Sequence, residues 1–192
     1  MSDIRVTEGD PPAVETPAPE FFVSQAPAVG VEIMMDSGRV AGELHPTGAP
    51  RRLVDTLNSV DAGFIMIYNG HLDDPFTTGE PPRRFDVAHI GRNAILFAAP
   101  RGDSVSRGSP FDAVKKLPVE TIVVVPGFEI RGNMFFLPDA DPPSMPMLTS
   151  HHFIPLTEAT VLATAARLAP WREPVLVVNL SRALLYAPRK VS

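Results

Sequence analysis

The segment from Val31 to Leu44, VEIMMDSGRVAGEL, decides the fold class of this chain. Val31, Ile33 and Met35 stand at every second position, and this period predicts a β-strand with one buried face. Residues 36–38, Asp-Ser-Gly, form a turn signal, and a second strand follows in which Gly42 permits a strong bend. The sequence therefore predicts a β-hairpin over this segment and a mainly β protein.

The composition supports many short strands and restricts the possible chemistry. The 192 residues include 22 prolines, about twice the usual share, and no cysteine. Proline removes a helical hydrogen-bond donor, so long helices are disfavoured. Without cysteine the chain forms no disulfide, thiolate nucleophile or zinc–thiolate site. We therefore expect a mainly β chain that has no cysteine-based chemistry.

Net charge and hydropathy restrict the expected partners and the expected location of the chain. The formal net charge is −5, which argues against a nucleic-acid partner, because such proteins usually carry a basic surface. No stretch reaches the roughly 18 apolar residues of a membrane span, and the start of the sequence lacks the basic and then apolar pattern of a signal peptide. We expect a cytoplasmic protein without a membrane span.

The chain divides into four segments. Residues 1–28, rich in proline, alanine and acidic residues, are predicted to form a disordered tail. Residues 29–101 form a first β-barrel-like unit, residues 102–117 a linker, and residues 118–192 a second unit. Inside the first unit, residues 51–59 are predicted to form one or two helical turns.

The two units match in order, which predicts an internal repeat. Gly42 aligns with Gly132, Phe64 with Phe153 and Pro100 with Pro188, at offsets of 132 − 42 = 90, 153 − 64 = 89 and 188 − 100 = 88. The offset falls by one residue at a time, as small loop deletions would produce, and aligned apolar positions keep their face of the strand. Two tandem small β-barrels or one fused double sheet are the expected architectures.

The first unit resembles the Sm-like family. The resemblance rests on residues 31–44 and on Asp55-Thr56-Leu57-Asn58 after them, with a fainter match at Ile90-Gly91-Arg92-Asn93. It implies an SH3-like small barrel, ring assembly through edge strands, and RNA or ligand contacts by Asp55, Asn58 and Arg92. Residues 52–58, Arg-Leu-Val-Asp-Thr-Leu-Asn, also resemble uncharacterised bacterial proteins that contain an RLxDxLN stretch.

From the residues alone, Asp55 and Asn58 have a second interpretation. Both side chains would then bond neighbouring backbone groups in a capped helical turn.

No catalytic or metal-binding pattern is present in the sequence. The adjacent His151 and His152 would point to opposite faces of a strand, so they do not readily chelate one metal ion. Neither a zinc-protease helix motif nor a nucleophile-elbow motif occurs. We predict no enzyme activity, no catalytic residue, no metal and no cofactor.

Three functions stay open at this point. The first is a non-catalytic scaffold or accessory subunit, a homo-oligomer or part of a larger complex, whose contacts use strand edges and apolar loops. Its predicted partner-binding residues are Phe21, Phe22, Met145 and Met147. The second is an Sm-like RNA-binding module, and the third is a small-molecule sensor with a cleft between the two barrels.

Overall fold

A computed structural model describes residues 28–46, 52–59, 63–74, 80–102, 115–148, 151–164 and 169–189. The predicted tail, with Phe21 and Phe22, lies outside these residues apart from residue 28, and so does most of the predicted linker. The described part is mainly β, as predicted. None of its helices is long and apolar enough to cross a membrane.

Within the described residues, ten strands form one antiparallel sheet. In chain order they are Val29–Met35 (β1), Gly38–Leu44 (β2), Phe64–Asp73 (β3), Arg83–Gly91 (β4), Ile95–Arg101 (β5), Leu117–Val125 (β6), Phe128–Phe136 (β7), Phe153–Ala163 (β8), Trp171–Asn179 (β9) and Leu185–Pro188 (β10). Their order across the sheet is β10-β6-β7-β8-β9-β5-β1-β2-β3-β4. The two halves meet where β9 pairs with β5.

The strand order is the same in both halves of the chain. The first half runs β5-β1-β2-β3-β4 and the second half runs β10-β6-β7-β8-β9. Of the two architectures expected for a repeat, the structure has a continuous sheet. Its end strands, β10 and β4, are not paired with each other. A division into two closed barrels stays a prediction.

The two halves also share an irregularity in the sheet. The β2–β3 register shifts between Ala41 and Glu43, and the β7–β8 register shifts between Arg131 and Asn133. A glycine lies inside each shift. In the first half it is Gly42, which is predicted to permit a bend, and in the second half it is the aligned Gly132. The strand that crosses here comes so close that a Cβ on Gly42 would lie 2.8 Å from the carbonyl oxygen of Tyr68. Close approach of the backbones therefore requires glycine at this point.

The partner strands carry the matching distortion. Asn69 in β3 and Glu158 in β8 both have a positive φ, 50° and 51°. Asn69 donates a hydrogen bond to Glu43 across the strands, and Asn133 donates one to Glu158, both at 3.1 Å. The amide and carboxylate have exchanged strands, but the contact is the same. Similarity between the halves thus extends to local backbone geometry.

Two short helices fill the connections between the second and third strand of each half. Helix α1, Leu53–Ser59, buries Leu53, Val54 and Leu57, which confirms the predicted helical turns and their inward face. Helix α2, Met145–Leu148, occupies the corresponding connection in the second half. In the second half, the sequence predicts a strand to about residue 161 and then a short helix up to residue 168. Strand β8 ends at Ala163, and residues 165–168 of the predicted helix lie outside the described part.

The core has two parts, one for each half, and each part includes side chains from the other half. Phe153 and Val177 of the second half pack into the first core. Leu96, Phe97 and Ala99 of β5 pack into the second core, whereas Ile95 and Ala98 face the first. Because β5 contributes to both cores, the two halves are packed as one unit.

Candidate functional site

The junction between the halves is a short strand contact with apolar residues on both sides. Phe97 pairs with Val178 and Ala98 pairs with Val177. All four side chains are buried, with at most 4% of their surface exposed. The junction therefore shows how β5, the fifth strand of the first half, pairs with β9, the fourth strand of the second half: the paired side chains are buried.

Asn58, a predicted ligand residue, holds the junction together. Its amide nitrogen donates to the carbonyl oxygen of Phe153 at 2.8 Å, and its amide oxygen accepts from the Phe153 backbone N–H at 3.0 Å. Phe153 is 95 residues away and begins β8. The amide thus bonds a distant backbone instead of the neighbouring one, and it ties helix α1 to the second half.

Further polar contacts cross the junction, among them those of Asn179 and Arg101. Asn179, almost fully buried, donates through Nδ2 to the carbonyl oxygen of Ile95 at 2.9 Å. Arg101 donates two hydrogen bonds to the carboxylate of Glu173, at 2.6 and 2.7 Å. Glu173, a buried residue with 7% of its surface exposed, raises the pKa of Arg101 through these bonds. Arg101 also bonds Glu32 in its own half. A bidentate ion pair of this kind fixes orientation as well as adding energy.

A small cavity opens beside the junction. Its lining includes Arg92, Asn93, His152 and Ser181. The Arg92 guanidinium lies 5.6 Å from the centre of the Phe153 ring, and His152 Nδ1 lies 2.7 Å from Ser181 Oγ. The volume is about 120 Å³, below the roughly 300 Å³ at which ligand pockets usually begin. This cavity can hold water or a small ion but not a typical metabolite.

Of the three predicted ligand residues, Arg92 and Asn58 both contact Phe153. The Arg92 guanidinium lies over the Phe153 ring and lines the cavity, whereas the Asn58 amide bonds the Phe153 backbone. Asp55 forms an exposed ion pair at 3.0 Å with Arg52, which lies three residues earlier and just before helix α1. Within the described residues, no group of three or more histidine, aspartate or glutamate side chains is placed to hold a metal ion.

The strongest candidate for contact with other molecules is the pair of sheet ends. In the described part, β4 and β10 each pair with a single neighbour, β3 and β6. Large apolar side chains are exposed along these ends: Phe64 (59%), Val87 (48%), Leu184 (72%) and Leu185 (48%). An unpaired strand edge next to exposed apolar side chains is a ready site for strand pairing.

The sequence analysis did not predict these four residues as contact residues, although the alignment of the two halves contains a signal for them. Phe64 aligns with Phe153, and Leu184 aligns with Leu96, so each exposed residue has a counterpart at the junction. Of the residues predicted to bind partners, Met145 is half-buried and packs against the second core. The side chain of Met147, like Phe21 and Phe22, lies outside the described part.

The chain matches no protein-family model, no curated protein and no solved structure. Evidence for a function therefore comes from the structure itself. The features that bear on function are the junction between the halves and the two ends of the sheet.

Proposed function

We propose that the chain is a non-catalytic scaffold or accessory subunit that assembles with other protein chains through the two ends of its sheet. The main support for this proposal is that four large apolar side chains are exposed at or beside the end strands β4 and β10, each of which pairs with one neighbour. These side chains belong to Phe64, Val87, Leu184 and Leu185. An incoming strand would satisfy backbone groups of the edge and cover these side chains. We place this assembly in the cytoplasm and regard each half as a small Sm-like barrel unit.

Charge on the first sheet end supports selective rather than indiscriminate pairing. Arg83, Arg84 and Asp86 are exposed on β4, between and beside its apolar positions. Charges on an edge strand prevent unspecific aggregation, because a partner must supply the opposite sign or leave the charge unsatisfied. A partner strand therefore needs both apolar side chains and matching charges.

The two other functions are less well supported by this geometry. An RNA-binding module would need the Asn58 amide, which is already bonded to Phe153 through both of its polar atoms. A sensor of a typical metabolite would need more room than the cavity of about 120 Å³ beside the junction provides.

The proposal predicts the size of the natural protein in an extract of its own cells. By size exclusion with antibody detection, the full chain should elute well above its own 20.8 kDa. Val87→Lys and Leu185→Lys, introduced singly, should shift elution toward the monomer, because each places a charge on one sheet end. Leu162→Lys, at an exposed position of the central strand β8, is the matched control and should elute like the natural chain.

Elution of the unmodified chain at 20.8 kDa would overturn the proposal. An equal effect of Leu162→Lys would show that added charge, and not the sheet ends, changes the size.

A further inference from the structure

Strand β3 carries large apolar side chains on both of its faces. Ile65 and Ile67 are buried in the first core. Phe64 and Met66 alternate with them and are 59% and 46% exposed, and the half-buried Tyr68 follows on the same side. A strand of an antiparallel sheet commonly carries polar residues on the face away from its core. The outer face of β3 is therefore suited to contact with a further apolar segment.

Strand β4 extends this apolar surface. Val87, which is 48% exposed, pairs with Tyr68, and the exposed His89 pairs with Met66. Residues directly opposite on antiparallel strands share a face, so both lie on the outer side. The Tyr68 hydroxyl donates to Met66 Sδ at 3.7 Å within this surface. Phe64, Met66, Tyr68, Val87 and His89 together are called the outer stripe, and an exposed apolar surface of this kind marks a contact site.

The N-terminal segment joins the described structure beside the outer stripe. Residue 28 precedes Val29, which pairs with Leu44. The residue after Leu44 is His45, whose ring packs edge-on against the Tyr68 ring with the ring centres 4.8 Å apart. The chain before residue 28 therefore starts next to one end of the outer stripe.

The length of this segment allows its apolar part to reach the stripe. Phe21 and Phe22 are the only aromatic residues before residue 28, and both lie outside the described residues. Phe22 is six residues from residue 28, and six extended residues span about 20 Å. From Tyr68 to Phe64 the stripe runs along four residues of a strand, which is about 13 Å. Both phenylalanine rings can therefore be placed on it.

Charge and tethering favour this segment over a separate molecule. Glu20 stands directly before the two rings, whereas β4 begins with the exposed Arg83 and Arg84. Charges of opposite sign on the two sides of a contact steer it and fix its orientation. A short tether also gives the segment a high effective concentration at the stripe, which a free partner would have to exceed.

We propose that residues 20–23, Glu-Phe-Phe-Val, dock on the outer stripe of their own chain, with the two phenylalanine rings against Met66, Tyr68 and Val87. This docking does not rest on the proposed function, but it has a consequence for it. Val87 belongs both to the outer stripe and to the sheet end, so a strand that pairs with β4 would have to displace residues 20–23. The N-terminal segment would then limit assembly at this end of the sheet.

Pairs of introduced cysteines test the docking in the full chain, which has no cysteine of its own. Ser24→Cys is combined with Met66→Cys in one chain, and with Arg172→Cys in the matched control. Met66 in β3 and Arg172 in β9 are both exposed, and each of these strands lies two positions from β1 in the sheet. A segment that does not dock should reach both positions at similar rates.

Disulfide formation within single chains is followed by mass spectrometry under mild oxidation of the purified protein at low concentration. The Met66 pair should close about tenfold faster than the Arg172 pair, which corresponds to about 1.4 kcal/mol in favour of the docked position. Replacing Phe21 and Phe22 together by serine in the Met66 pair should reduce its rate to that of the control, because the two rings hold the segment on the stripe.

Equal rates for the two pairs would overturn the docking, and so would a Met66 rate that is unchanged by the loss of both rings. Linkage found only between chains would also overturn it, because residues 20–23 would then contact a second molecule. Each of these rates is measured on the purified chain. Their failure would therefore leave the elution of the natural chain in cell extract, and with it the proposed function, unaffected.

Discussion

Replacing Gly42 by alanine should be one of the most damaging single-methyl additions to this chain. The added Cβ would lie 2.5 Å from Ile67 Cγ2, 2.8 Å from the Tyr68 carbonyl oxygen and 3.1 Å from the Gly70 Cα. The Ile67 methyl group can rotate away, but the other two atoms belong to the backbone of β3. Relief therefore requires β2 and β3 to separate at the point where their register shifts.

The expected cost follows from comparison within the chain. Inserting a methylene-sized group into packed structure costs about 1–3 kcal/mol, and backbone contacts place Gly42→Ala near the upper end, at about 3 kcal/mol. At the equivalent Gly132, the nearest atom would be the Thr157 carbonyl oxygen at 3.0 Å, so Gly132→Ala should cost about 1–2 kcal/mol. A Cβ on Gly63 meets nothing within 4 Å, and Gly63→Ala should change stability by less than about 0.5 kcal/mol.

Urea unfolding followed by circular dichroism measures all three variants against the natural chain. The midpoint should fall in the order Gly63→Ala, Gly132→Ala, Gly42→Ala, while the dependence on urea stays the same. A Gly42→Ala midpoint equal to that of Gly63→Ala would refute the claim that the close approach of β2 and β3 requires glycine.

Three further changes test the junction and the partly buried phenol of Tyr186. Asn58→Ala leaves the Phe153 backbone N–H and carbonyl without their partner, and it should lower the free energy of unfolding by about 1–3 kcal/mol, measured in urea. Glu173→Gln replaces the carboxylate that accepts both bonds from Arg101, so thermal unfolding should begin at a lower temperature, and an unchanged midpoint would contradict a role for this ion pair. Burial raises the pKa of Tyr186 from 10.0 to about 12. Because the phenol of the unfolded chain loses its proton at a lower pH, the free energy of unfolding should fall from pH 10 toward pH 12. Tyr186→Phe should reduce that loss in alkaline unfolding curves.

Local patterns predicted the hairpins and the first helix because neighbouring residues determine them. The alternation in residues 31–35 and the Asp-Ser-Gly turn specify a hairpin without help from distant parts of the chain. Leu53, Val54 and Leu57 likewise specify the buried face of α1. The repeat alignment placed Gly42 and Gly132 at equivalent points of the sheet, and the structure has both at a register shift.

The contacts of the junction could not be predicted in this way. Phe64 and Phe153 have similar neighbours in the sequence, yet one is exposed and the other is buried, because only Phe153 lies where the first half packs against it. For the same reason, the sequence did not show that the Asn58 amide bonds a backbone 95 residues away. Long-range pairing, and not local preference, decides which residue of an aligned pair is covered.

Assembly through the two sheet ends is tested most directly by light scattering after size exclusion, on the natural chain, Val87→Lys, Leu185→Lys and Leu162→Lys. The natural chain should be larger than the 20.8 kDa mass of a single chain, and each change at a sheet end should lower its mass toward that value. Leu162→Lys, at an exposed position of the central strand β8, should keep the mass of the natural chain. A natural chain of 20.8 kDa at every concentration, or an equal loss of mass in Leu162→Lys, would contradict assembly through the sheet ends.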